Sequence, residues 1–79
     1  MNRQEFAALV QTYLLACMFN GYYRGSANTA MRILAEDVQA ADMEKINQAY
    51  DSQPIGSKWT VIVAWCDWKL GRQPKPEWA

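Results

Sequence analysis

Apolar residues in the first twenty positions recur at the interval of an α-helix, and that interval leaves this chain little freedom. Phe6, Leu9, Val10, Tyr13, Leu14, Cys17 and Met18 fall at i, i+3, i+4, i+7, i+8, i+11 and i+12, which draws one stripe along a helix. Asn2 and Glu5 are spaced as a capping box, in which each side chain satisfies an amide that the first turn leaves unbonded. Asn20-Gly21 ends the pattern, because glycine accepts the left-handed conformation at a helix end. A helix over residues 3–20 is predicted, with this stripe in the core.

The same interval returns further on. Ser26 is placed to cap a second helix over 27–38, striped by Ala27, Ala30, Met31, Leu34, Ala35 and Val38. Met43, Ile46 and Tyr50 form a third stripe with a different phase. Either one bent helix runs from 27 to 51, or Asp42 caps a separate helix over 42–51, and the change of phase favours the break. Ser52-Gln53-Pro54-Ile55-Gly56 reads as a loop. Ser57 is then placed to cap a segment over 58–70, closed by Gly71. Its run Thr60-Val61-Ile62-Val63 would suit a strand, but a lone strand leaves its backbone bonds unsatisfied, so helix is preferred. Pro74 and Pro76 keep residues 72–79 out of a helix, as an extended C-terminal tail beyond a single helical domain over 1–71. The fold class expected is all-α, a small three- or four-helix bundle.

Composition supports one core and no second one. Seventy-nine residues form one domain. The hydrophobic fraction of 51% with only 20% charged residues is not that of a disordered chain. Formal net charge is zero, which argues against direct nucleic-acid binding and leaves little repulsion between copies. The charge is nonetheless polarised. Residues 36–51 carry Glu36, Asp37, Asp42, Glu44 and Asp51 against Lys45, whereas 58–75 carry Lys58, Lys69, Arg72 and Lys75 against Asp67. Cys17 and Cys66 both sit in apolar runs, and buried free thiols in a reducing compartment are preferred over a pair bridged across the core. Arg3 and Glu5 are unlike a signal peptide, and no apolar run approaches the roughly 20 residues that cross a bilayer. A cytoplasmic protein without membrane contact is expected.

Histidine is absent, which removes the serine–histidine and cysteine–histidine nucleophiles and the histidine-containing zinc sites. Two distant cysteines cannot form a four-cysteine cage, and no phosphate-cradling glycine motif is present. The adjacent carboxylates Glu36 and Asp37 do not face each other on a helix. No catalytic residue, metal or cofactor is therefore assigned, and the chain is read as non-enzymatic.

Surface arguments remain. In a helix over 58–70, Trp59, Ile62, Val63, Cys66 and Leu70 form one stripe for the core, and Val61, Trp65 and Trp68 form a second. A helix apolar nearly all round must be enclosed by its own domain or covered by another molecule. Val61, Trp65 and Trp68 are thus candidate partner-binding residues, with core filling as the alternative. Tyr22, Tyr23 and Arg24 are a second candidate group, since adjacent tyrosines in a loop cannot both point inward. If 36–51 were one helix, Asp37, Glu44 and Asp51 would line one face about 10 Å apart. Such a row can imitate a phosphate backbone, or simply be a solvated helix face.

A compact, self-contained chain of this size without an enzyme motif resembles, in general character, the short inhibitors that bacteriophages and other mobile elements encode, anti-CRISPR proteins among them. The resemblance covers size and character rather than residues, so no functional residue is carried over. It implies a protein or ribonucleoprotein partner in a bacterial host, a nucleic-acid-processing complex blocked at its binding surface. Two alternatives follow from the residues: a self-assembling homodimer closed by the second tryptophan stripe, and a small nucleic-acid-binding protein using Arg24, Arg32, Lys58, Lys69, Arg72 and Lys75.

Overall fold

The computed structural model describes residues 1–21 and 38–79. Among them are three α-helices and no strand, so the fold class is all-α. Helix α1 spans Arg3–Phe19, α2 spans Ala40–Ser52 and α3 spans Trp59–Lys69, with a 3-10 turn at Ile55–Ser57 before α3. The predicted helix over 27–38 lies outside the described residues apart from Val38, which is buried and not helical. The chain divides into two compact units, Met1–Val38 and Gln39–Ala79.

In the first unit, the capping box forms as its spacing predicts. The Glu5 amide donates to Asn2 Oδ1 at 2.8 Å, and the Asn2 amide donates to Glu5 Oε1 at 3.3 Å. Phe6, Val10, Leu14 and Cys17 are buried, while Leu9 and Tyr13 are half-buried flanks of the same stripe. Met18 departs from the prediction: it is exposed, one position past the last buried turn. At the helix end Gly21 takes a positive φ of 74° and donates its amide to the Met18 carbonyl at 3.2 Å.

The second unit opens with the predicted break. Gln39 is extended (φ −85°, ψ 165°), so no helix runs through it into α2. The cap differs from expectation, because α2 starts at Ala40 and Asp42 lies inside its first turn. From there the Asp42 carboxylate accepts the Gln39 amide at 3.0 Å, and its negative charge suits the positive end of the helix dipole. Met43, Ile46 and Ala49 form the buried stripe of α2, which packs against α3.

Between the helices, Ser52 completes α2, and Ile55–Ser57 tightens into a turn closed by the Ser57 amide on the Pro54 carbonyl at 2.8 Å. The proposed Ser57 cap is corrected. Lys58 already has helical dihedrals (φ −60°, ψ −35°), so the 3-10 turn feeds directly into α3 and no side chain caps it. The Lys58 side chain instead reaches back, donating from Nζ to the Tyr50 carbonyl at 2.8 Å and lying 4.9 Å from the centre of the Tyr50 ring. A cation there is a second donor to the Tyr50 carbonyl, which also accepts the Gln53 amide at 3.3 Å, and its charge suits the negative end of the helix dipole.

Helix α3 ends in a full reversal. Gly71 has φ 76° and donates its amide to the Trp68 carbonyl at 3.0 Å, and the Arg72 amide reaches the Asp67 carbonyl at 2.8 Å. These two bonds make a Schellman motif, which turns the chain back along the helix it has just left. The tail is therefore not simply extended. Its last residues turn, with the Ala79 amide on the Pro76 carbonyl at 3.1 Å. Both cysteines are buried thiols.

Gly71 and Gly56 offer a paired test of this terminator. No atom lies within 4 Å of a Cβ built at either, but only Gly71 has a positive φ. Gly71→Ala is expected to lower stability by about 1–2 kcal/mol through backbone strain. Gly56→Ala should be neutral or raise it by up to about 1 kcal/mol by restricting the unfolded chain. Urea denaturation of both variants checks the contrast, and equal effects would show that the reversal at Gly71 does not form.

Candidate functional site

The buried face of α3 is neither of the two stripes expected from the sequence. Val61, Ile62, Trp65 and Cys66 are the residues withdrawn from solvent, two taken from each proposed stripe. Lys58 and Lys69 fall at the two ends of this face, one turn before and one turn after it. Lys69 keeps its ammonium at the surface 5.0 Å from the Trp65 ring centre and 4.2 Å from that of Trp68, as long cationic side chains do over apolar surface.

Two proposed contact residues are buried rather than exposed. Trp65 is 1% exposed and Val61 3%, so both side chains are covered by the chain itself. Trp59, expected in the core, is instead 40% exposed. Trp68 is half-buried and meets Trp65 edge to face, with ring centres 5.1 Å apart and planes at 83°. Glu44 and Asp51 are exposed on α2. The helix that would have added Asp37 to their row does not continue past Gln39, and Asp37, like Tyr22, Tyr23 and Arg24, lies outside the described residues.

Trp78, outside every helical stripe of the sequence, completes the aromatic cluster. Its ring lies on that of Trp65 with centres 6.2 Å apart and planes at 21°, within the range of offset stacking. Lys75, in the same tail, sits 5.6 Å from the Trp68 ring centre. Trp78 is the one large apolar side chain after Leu70, and that isolation was a readable signal.

Large apolar side chains are exposed elsewhere. On α1, Leu15, Met18 and Phe19 stand at i, i+3 and i+4, so they share a helix face, and Phe19 is 91% exposed. In the second unit, Ile55 is 90% exposed in the turn that leads to Trp59. Among the described residues there is no group of three or more cysteine, aspartate or glutamate side chains placed to hold a metal ion. No described helix is long and apolar enough to cross a membrane. No family model, curated protein or solved structure matches this chain.

Burial separates the tryptophans by role. Trp65→Ala should cost about 3–5 kcal/mol, the usual range for removing a large buried aromatic, and leave much of so small a protein unfolded. Trp59→Ala should cost well under half as much. Thermal unfolding followed by circular dichroism measures both, and a mild Trp65→Ala effect would return Trp65 to the list of surface contacts.

Proposed function

We propose that this is a non-enzymatic binding protein that recognises another macromolecule through exposed apolar side chains. The observation that carries the reading is the exposure of Phe19 and Ile55, each about nine-tenths open to water. Leaving such a side chain solvated forgoes roughly 1.5–3 kcal/mol relative to burying it. Apolar surface of this kind, in contiguous patches, marks interaction sites. Leu15 and Met18 extend the Phe19 face, and Trp59 follows Ile55 after one further turn. Binding moves in this reading from Val61 and Trp65 to side chains that are accessible.

The basic residues support a protein partner over a nucleic acid. Lys58 is engaged with the Tyr50 carbonyl and ring, Lys69 with two indoles, Lys75 with Trp68, and Arg72 with the Asp67 carboxylate at 4.0 Å. All four cations of the 58–75 segment are thus drawn into local contacts. The similarity in character to phage-encoded inhibitors makes the nucleic-acid-processing complexes of a bacterial host the first partners to test, with inhibition by surface occupation as the expected mode.

The test is capture of a partner from bacterial lysate by immobilised full-length protein, compared with Phe19→Ser and Ile55→Ser. Both positions are exposed, so both variants should fold, and at least one should weaken capture about 10-fold or more, as loss of a binding hot spot does. Undiminished capture by both variants would sink the reading. Light scattering of the protein alone distinguishes a second copy of the chain as the occupant. Titration with DNA and RNA at low salt should show no binding, and salt-sensitive binding would transfer the role to Lys58, Lys69, Arg72 and Lys75.

A further inference from the structure

The aromatic cluster on α3 already holds a peptide, and that peptide is the chain's own tail. Past the reversal at Gly71, a second amide, that of Gln73, reaches the Asp67 carbonyl at 3.3 Å. The tail then runs through Pro74 and Pro76 to place Trp78 on Trp65, with Lys75 beside Trp68. Beyond Gln73 the hydrogen bond of Ala79 closes on Pro76, within the tail itself. Ring stacking and a cation over a ring join residues 74–79 to α3, and an equivalent segment of another molecule could supply both in the same way. Proline-spaced segments suit this use, because proline fixes part of the backbone before binding and so less freedom is lost on docking.

We propose that residues 74–79 are a detachable strap, and that the surface beneath them on Trp65 and Trp68 is a seat for a proline-spaced partner segment that turns, as the tail does, to present a tryptophan. The tail is then a built-in competitor. Tethered a few residues from the seat, it acts at an effective concentration on the order of millimolar. A partner segment must exceed that to enter, so the seat is closed at rest and opens to partners that bind tightly or in several places. The seat uses neither Phe19 nor Ile55, so it stands or falls apart from the surface proposed above.

Two measurements test the strap on the full chain. In the unmodified protein, opening by release of the tail requires that the Trp65 indole N–H exchange with solvent faster than the backbone amides of Ile62 and Cys66, which wait for helix unfolding. Equal protection of all three would mean that the tail leaves only when the fold does, and would overturn the proposal. In full-length Trp78→Ala, labelled with nitrogen-15, a synthetic peptide matching residues 73–79 should shift the indole signals of Trp65 and Trp68. The same peptide should bind the unmodified chain at least about 10-fold more weakly, since the tail competes there. A folded Trp78→Ala protein whose Trp65 signal ignores millimolar peptide would also overturn it.

Discussion

An indole buried in a unit as small as Gln39–Ala79 must be covered from several directions, and α2 packed against α3 supplies only part of that cover. Trp65 is the case in point. Its ring is met at the edge by Trp68 from the next turn, overlaid by Trp78 from the tail, and overhung by the Lys69 ammonium. The rest of the unit can be understood from this requirement. The Schellman reversal at Gly71 is what brings the tail back over α3, and the prolines limit the paths it can take once there. Without the reversal Trp78 would have no route to Trp65.

The lysines illustrate how a nearly apolar helix acquires a unique orientation. Helix α3 offers Trp, Val, Ile, Ala and Cys around most of its circumference, so burial alone would reward several rotations almost equally. Lys58 and Lys69 break the tie. Both lie in line with the buried face but at its ends, where their stems cover apolar surface and their ammonium groups remain at the water boundary. Each also finds a partner there, a helix-terminal carbonyl for Lys58 and two ring faces for Lys69. A rotation that buried the Trp59 stripe would pull Lys58 away from Tyr50, whereas the Lys69 ring contacts lie within α3 and would turn with it.

The two surfaces proposed for binding differ in character. Phe19 and Ile55 are open and need no rearrangement to meet a partner, whereas the Trp65 and Trp68 surface is occupied by the chain itself. Open apolar side chains favour encounter; a covered aromatic seat favours selectivity, because only a segment able to replace the tail can use it. The absence of histidine, fixed by composition, keeps imidazole chemistry out of both surfaces.

Much of the local structure was legible in the residues alone. The Asn2–Glu5 capping box, the ends of α1 and α3 at Gly21 and Gly71, and the change of phase before α2 are all read correctly from short-range spacing. The cap and the two helix ends depend on hydrogen bonds between residues three to five apart, which a sequence states directly. The starts of α2 and α3 were less legible, since an acid inside the first turn and a 3-10 turn can each replace the serine or aspartate cap that the sequence seemed to offer. What only the tertiary structure decided was which side of α3 faces inward, and with it the fate of Trp65. A helix with apolar residues on nearly every side contains no periodic signal for its own rotation, so that choice fell to contacts made beyond it: the stripe of α2, the reach of Lys58 to Tyr50, and a tryptophan ten residues beyond Trp68.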